Sequence, residues 1–196
     1  MEKWAEKLTV YTIKQGSITE NDYEVYKYGF QIALEMIVYM VVSVLIAIYM
    51  NMLTEGLTFF GVFILLRSYA GGLHLKHYYS CFLCSCFVLI GTMLLVKNFV
   101  LPVSVAWIII GSMIFGIKKF TPIENINRRL ENEEKDYFAR KINVILLCIA
   151  LCSVGLGVIG MSKYVTTIAF TMAVVVLSMI LGKIEFQRDC INLSKK

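Results

Sequence analysis

Residues 36–53 read MIVYMVVSVLIAIYMNML, without a single charged side chain. A membrane span needs about 20 mostly apolar residues, so this run predicts a transmembrane helix. Four further runs predict the same, and they are Cys81–Val96, Val103–Ile117, Ile142–Met161 and Val165–Gly182. Leu57–Leu66 is apolar but short and ends at Arg67. It predicts either a span that continues past Arg67 toward Gly71 or a re-entrant hairpin.

The composition agrees with a membrane protein. Of the 196 residues, 58% are hydrophobic and only 17% are charged, against about 25% charged residues in a soluble protein. A soluble domain of this length cannot bury so much apolar surface in one core. We therefore expect an all-α integral membrane protein of about six transmembrane helices, formed by residues 1–196 as a single polytopic domain in the cell membrane.

The basic residues predict the orientation of these helices. With six spans and a cytoplasmic N-terminus, all of the 19 Lys and Arg residues except Lys97 and Lys163 lie on the inner side, as the positive-inside rule requires. Both termini, an N-terminal region over 1–30 and a long loop over 118–141 are then cytoplasmic. If Leu57–Leu66 did not cross, that basic loop would lie outside. Because the basic residues report topology, they predict no nucleic-acid binding.

The N-terminal region contains a predicted amphipathic helix. Trp4, Leu8 and Tyr11 recur at helical spacing over residues 2–15, and Gly16 is expected to stop the helix. Ser17–Glu20 has the spacing of a capping box, which predicts the start of a second helix. The apolar stripe either packs on the protein's own transmembrane bundle or is a docking face for an amphipathic peptide on the same leaflet.

Residues 67–81 differ from the rest of the chain in carrying groups that can react. They read RSYAGGLHLKHYYSC and hold both histidines of the chain, a glycine pair and a cysteine at the mouth of a span. A cysteine thiolate paired with an imidazole is the minimal unit of cysteine nucleophilic catalysis. The imidazole takes the thiol proton and later donates it to the leaving amine.

Two histidines compete for the role of partner to Cys81. On a continuous helix, His74 and Cys81 would be separated by about 10.5 Å of axial rise, so their pairing needs a bend in the chain. Gly71 and Gly72 are suited to ending a helix before His74, which would leave Cys81 in the first turn of the next helix. His77 and Cys81 would instead touch on one continuous helix. The residues alone leave this choice open.

The other cysteines carry no comparable signal. Cys84, Cys86, Cys148 and Cys152 lie in apolar runs, where a cysteine is most often a small buried hydrophobic residue. Cys84-Ser85-Cys86 lacks zinc-ligand spacing and has no second pair to complete a site. We expect no metal, no cofactor and no disulfide framework.

The segment from Arg67 to Cys81 resembles the accessory gene regulator protein B family. The family pattern has an arginine, then Gly-Gly-x-His, then a cysteine seven residues after the histidine, and these fall here on Arg67, Gly71-Gly72-Leu73-His74 and Cys81. A second family stretch matches residues 121–130, TPIENINRRL, with Thr121 in place of alanine and Arg128-Arg129 in place of Lys-Pro.

The resemblance implies a membrane cysteine endopeptidase that processes a quorum-sensing propeptide. It assigns catalysis to His74 and Cys81. The implied substrate has an amphipathic N-terminal helix, a central cysteine and an acidic C-terminal tail. Cys81 would release the tail through an acyl thioester. A thiolactone ring, or in some relatives a lactone ring, would then close. The alternative is a non-catalytic peptide permease or export scaffold. A transporter is expected to carry charges near the midplane, and Glu35 is the nearest to a buried one in the predicted spans.

Supporting residues follow from their charge and their position. Arg67 either holds a carboxylate of the acidic tail or anchors the topology. Arg128 and Arg129 are weaker candidates for the same contact, and Glu124 or Asn127 would orient His74 only if the long loop folds back under the bundle. Gly157 and Gly160, three residues apart in a span, suggest a possible homodimer.

Overall fold

The computed structural model describes residues 2–16, 22–71, 78–121 and 132–194. These residues form helices and no strands, which confirms the all-α prediction. The seven helices are α1 (Glu2–Lys14), α2 (Tyr23–Tyr49), α3 (Leu53–Ala70), α4 (Tyr78–Asn98), α5 (Val103–Phe120), α6 (Asn132–Val158) and α7 (Ser162–Ser194).

Five of the described helices are long and apolar enough to cross a membrane. They are α2, α3, α5, the Tyr137–Val158 part of α6 and the Ser162–Ile184 part of α7. The apolar stretch of α4, Phe82–Asn98, is shorter. Six apolar helices therefore stand where about six were predicted. The predicted loop over 118–141 is helical at both ends, because α5 continues to Phe120 and α6 begins at Asn132.

The short apolar run belongs to one continuous helix. The structure extends Leu57–Leu66 to α3, Leu53–Ala70, so the prediction of a longer span is confirmed and the re-entrant hairpin is wrong. The run looked short because Glu55 interrupts it at one end and Arg67 at the other. Both charged side chains fit inside the helix because each has a polar partner on α7.

The chain separates into two compact units, Met1–Ile46 and Ala47–Lys196. In the second unit, two contacts show that α3 and α7 run in the same direction. Near the start of both helices, the Tyr164 hydroxyl donates to Thr54 Oγ1 at 3.2 Å. Near the end of α3, Arg67 Nη1 donates at 3.3 Å to Ser178 Oγ in the middle of α7. We call these two ends of the second unit the Glu55 end and the Arg67 end.

Helix α5 also runs parallel to α7. The Leu101 N–H, just before α5, donates to Thr166 Oγ1 at 3.1 Å at the Glu55 end. At the Arg67 end, Lys183 Nζ lies 5.4 Å from the centre of the Phe120 ring.

Helix α6 runs in the opposite direction to α3 and α5. The ring centroids of Tyr69 and Phe138 lie 6.1 Å apart at the Arg67 end. Trp107 Nε1 donates to the carbonyl of Ser153 at 3.3 Å, toward the Glu55 end. This alternation is the one that six successive crossings require, since α3, α5 and α7 are then the second, fourth and sixth spans.

Helix α7 is the centre of the second unit, where it packs on α3, α4, α5 and α6. The core consists of large apolar side chains from several helices. Those that are almost fully buried include Phe59, Leu66, Leu89, Met93, Ile117, Leu146, Met172 and Met179. The stacked rings of Phe59 and Phe63, with centroids 5.3 Å apart, belong to the face of α3 that is buried.

The first unit contains the predicted amphipathic helix, but its buried face was not foreseen. Helix α1 ends before Gly16, whose φ is +70°, and Glu2 pairs with Lys27 of α2 at 3.3 Å. Its fully buried residues are Ala5 and Thr9, because their small side chains allow close approach. The predicted stripe of Trp4, Leu8 and Tyr11 is exposed within this unit, and its packing on the bundle stays a prediction. The predicted capping box lies outside the described residues.

Helix α5 of the same chain packs closely against Gly157. A Cβ atom there would lie 2.5 Å from Trp107 Cζ2 and 2.9 Å from Val103 Cγ1, both on α5. Gly160 lies in the turn before α7 with φ of +84°. The glycine pair that suggested a homodimer is thus explained by packing between α5 and α6 and by a turn, and the homodimer stays a prediction.

We expect Gly157→Ala to lower the free energy of unfolding by about 1–3 kcal/mol, the usual cost of overpacking. The added methyl group would push the Trp107 ring away from α6. Titration with sodium dodecyl sulfate, followed by tryptophan fluorescence, measures this loss. Gly155→Ala is the matched control, because nothing lies within 4 Å of a Cβ atom there. Equal stability of the two variants would contradict the close α5–α6 contact.

Candidate functional site

Three of the predicted site residues fall within the described part of the chain. The structure describes Arg67, Gly71 and the backbone of Cys81. The other predicted site residues, Gly72, His74, Glu124, Asn127, Arg128 and Arg129, lie outside the described residues. Their roles, and the choice between His74 and His77, stay predictions.

Gly71 ends α3, as the sequence predicts. Its φ of 80° and ψ of −161° belong to a region that essentially only glycine adopts. Its N–H donates to the carbonyl of Arg67 at 3.3 Å, which satisfies one of the last carbonyls of the helix. The chain therefore leaves α3 in a direction that a residue with a side chain would resist.

We expect Gly71→Ala to lower the free energy of unfolding by about 1–3 kcal/mol, the cost of holding alanine in a sparsely populated backbone region. Reversible unfolding in mixed micelles measures the change. Gly61→Ala in the same helix is the control, because a Cβ atom at residue 61 meets nothing within 4 Å and alanine favours a helix over glycine. A Gly71→Ala protein as stable as this control would refute the strained helix end.

Cys81 lies in the first turn of the next helix. Helix α4 begins at Tyr78, so the backbone of Cys81 is three residues from its start. The first N–H groups of a helix have no partner within it, and the helix dipole is positive there. In proteins generally, the start of a helix can stabilise a thiolate or an oxyanion through these amides. The first-turn position that the sequence predicts is therefore present in the backbone.

Arg67 is held between α3 and α7. Besides its bond to Ser178 Oγ, its guanidinium carbon lies 5.8 Å from the centre of the Phe63 ring, one turn earlier on α3. The side chain is partly buried. These contacts fix the guanidinium at the helix end rather than letting it extend freely along a lipid surface.

The sequence missed a buried carboxylate at the opposite end. Glu55 is 5% exposed, and its Oε1 pairs with Lys163 Nζ of α7 at 2.5 Å, while Thr54 Oγ1 donates to its Oε2 at 3.1 Å. Glu35, expected to be the most buried acid of the spans, is partly exposed and accepts a bond from Gln31 at 3.0 Å. The sequence did carry a signal for this burial, because apolar residues stand on both sides of Glu55, with Leu53 before it and Leu57 after it.

A comparison with models of protein families identifies the family of the chain. The model described as accessory gene regulator B matches residues 2–181, nearly the whole chain. The chain belongs to the accessory gene regulator B family. Comparisons with curated proteins and with solved structures give no match.

Membership in the accessory gene regulator B family, together with the spanning helices, makes the chain a multi-pass membrane protein of the cell membrane. The family acts in agr quorum sensing, as a processing protease in the maturation of a propeptide in the membrane. The chain is therefore assigned to propeptide processing, and the chemistry of cleavage is the remaining question.

Four further cysteines of this family member have described side chains, two on α4 and two on α6. Cys84, Cys148 and Cys152 are exposed on the protein surface and Cys86 is partly exposed. Their predicted burial in the core is therefore wrong for the first three. Their helices turn these positions outward, where apolar thiols can face lipid. All four are free thiols, and the described residues contain no cluster suited to a metal ion.

Proposed function

We propose that this protein is a cysteine endopeptidase that removes the acidic tail of its propeptide through an acyl thioester on Cys81. The observation that carries the proposal is the position of the Cys81 backbone in the first turn of α4, shortly after the glycine-ended α3. A helix N-terminus there supports both the thiolate and the oxyanion that peptide-bond cleavage needs.

The first half-reaction transfers an acyl group. His74 takes the proton from the Cys81 thiol, and the thiolate attacks the peptide carbonyl that joins the signal sequence to its tail. The carbon–nitrogen bond breaks, and the imidazolium returns its proton to the leaving amine. The tail departs with a new N-terminus, and the signal sequence remains attached to Cys81 as a thioester.

The second half-reaction closes the ring. The thiol of the propeptide's own cysteine loses its proton to His74 and attacks the thioester carbonyl. The carbon–sulfur bond to Cys81 breaks, and the imidazolium returns the proton to the Cys81 thiolate. The product is a thiolactone, or a lactone when a serine attacks. Exclusion of water from the acyl-enzyme at the membrane boundary favours cyclisation over hydrolysis.

Arg67 is the proposed contact for the acidic tail. Its guanidinium lies at the same end of the second unit as the end of α3 and is held there by Ser178 and Phe63. Arginine binds a carboxylate through two parallel N–H bonds. Arg128 and Arg129 are weaker candidates for a further tail contact, and Glu124 or Asn127 for orienting His74.

The exposed stripe of α1 is the proposed contact for the other end of the propeptide. Trp4 and Tyr11 are more than half exposed, and Leu8 is also exposed. These side chains form one apolar face because they recur at helical spacing. An amphipathic propeptide helix would bury its own apolar face against them. The predicted cytoplasmic N-terminus would put this contact on the inner leaflet of the membrane.

Trapping the acyl-enzyme tests the proposal. The full chain in lipid nanodiscs is mixed with a synthetic propeptide whose internal cysteine is replaced by alanine, so that the ring cannot close. We expect the Cys81-containing peptide to gain the mass of the propeptide without its tail, and hydroxylamine to remove this adduct. Tail release without a hydroxylamine-sensitive adduct on Cys81 would overturn the mechanism, and absence of any cleavage would favour a non-catalytic export scaffold.

A further inference from the structure

Ser178 presents only oxygen lone pairs to Arg67. A serine hydroxyl has one proton to donate, and Ser178 donates it to the carbonyl of Val175 on its own helix at 2.9 Å. The 3.3 Å contact with Arg67 Nη1 is therefore one in which Ser178 accepts. Arginine can only donate, so one position of the hydroxyl serves both bonds.

The surroundings of this contact restrict its movement. Leu66, next to Arg67, and Met179, next to Ser178, are both fully buried in the core. The backbones on either side are therefore held by packing, while the Phe63 ring lies 5.8 Å from the guanidinium carbon. The contact joins residues 111 positions apart in the chain, so it depends on the parallel packing of α3 and α7.

We propose that Ser178 is a positioning residue, which orients the Arg67 guanidinium to bind a carboxylate of the propeptide's acidic tail. This inference rests on the proposed role of Arg67. A planar guanidinium binds a carboxylate best in one orientation. Holding one Nη in place before the substrate arrives reduces the entropy lost on binding. Ser178 thus acts on substrate binding and not on the reacting bond.

The test compares kinetic constants of the full chain in nanodiscs of defined lipid composition. The substrate is a synthetic propeptide, used with its acidic tail and with all tail carboxylates replaced by amides. We expect Ser178→Ala to raise KM for the acidic substrate roughly tenfold, as for a lost bond to a charged group, with kcat nearly unchanged. Ser178→Thr keeps the hydroxyl and is expected to restore KM.

Two controls separate positioning from a structural effect. Ser153→Ala removes a hydroxyl that also bonds three residues back on its own helix, to Ala150 at 2.8 Å, so it is expected to leave KM unchanged. In an Arg67→Gln background, Ser178→Ala is expected to add nothing, because residues that act as a unit are not additive. The amidated substrate is expected to give the wild type and Ser178→Ala the same KM.

Three outcomes would overturn the inference. They are an unchanged KM in Ser178→Ala, an equal rise in KM with the amidated tail, or a full effect in the Arg67→Gln background. A KM that follows the content of anionic lipid and not the tail charge would assign Arg67 to a lipid phosphate instead. Failure of the proposed function has a different signature, because tail release would then persist in Cys81→Ala.

Discussion

Replacement of Cys81 by alanine is expected to abolish release of the propeptide tail. Removing the nucleophile of a covalent protease lowers kcat by about 10⁴–10⁶. Co-expression of the chain with its propeptide, with the free tail followed by mass spectrometry, measures the loss. His74→Ala is expected to have the same effect.

The controls for this prediction come from the same segment of the chain. Cys84→Ala removes a thiol three residues away that is exposed on the protein surface, and we expect full cleavage. His77→Ala is expected to spare cleavage, which would decide between the two histidines. Tail release by Cys81→Ala at the wild-type rate would show that Cys81 is not the nucleophile.

The second large effect is expected at the opposite end of the second unit. Lys163→Met leaves the Glu55 carboxylate buried without its cation, since Glu55 is 5% exposed. We expect a loss of about 2 kcal/mol in the free energy of unfolding, less than the 3–5 kcal/mol for a fully buried pair, because the Lys163 side chain is 43% exposed. Reversible unfolding in mixed micelles measures the difference.

A double replacement distinguishes the buried charge from the loss of packing. Glu55→Met with Lys163→Met removes both charges, so stability is expected to recover most of the way to the wild type. Lys97→Met removes an exposed lysine and is expected to change stability little. If Lys163→Met is no less stable than Lys97→Met, the pair does not hold α3 against α7.

The spans were predictable because hydropathy is a local property. A helix in lipid must satisfy its own backbone and turn apolar side chains outward, so a run such as residues 36–53 identifies itself without reference to any other part of the chain. The end of α3 was equally local, because Gly71 adopts a backbone region closed to other residues. The boundaries of α3 were not, since they depend on Glu55 and its partner on another helix.

The exposed cysteines were mispredicted because hydropathy does not distinguish two environments. An apolar side chain in a membrane protein has two favourable places, the core and the lipid, and periodicity does not distinguish them. Trp4 and Cys148 are apolar by composition, yet both are exposed on the protein surface, while Thr9 is buried. Small side chains that allow close approach also mark packed faces, as Ala5 and Thr9 do on α1.

The sequence by itself determined that this protein is helical, that it lies in a membrane, and which short segment carries the reactive groups. Each of these depends on residues that are neighbours in the chain. Only the tertiary structure decided that Lys163 neutralises Glu55 and that Ser178 holds Arg67. These partners are more than a hundred residues apart, and they meet because α3 and α7 pack in parallel, which the hydropathy of neither helix specifies.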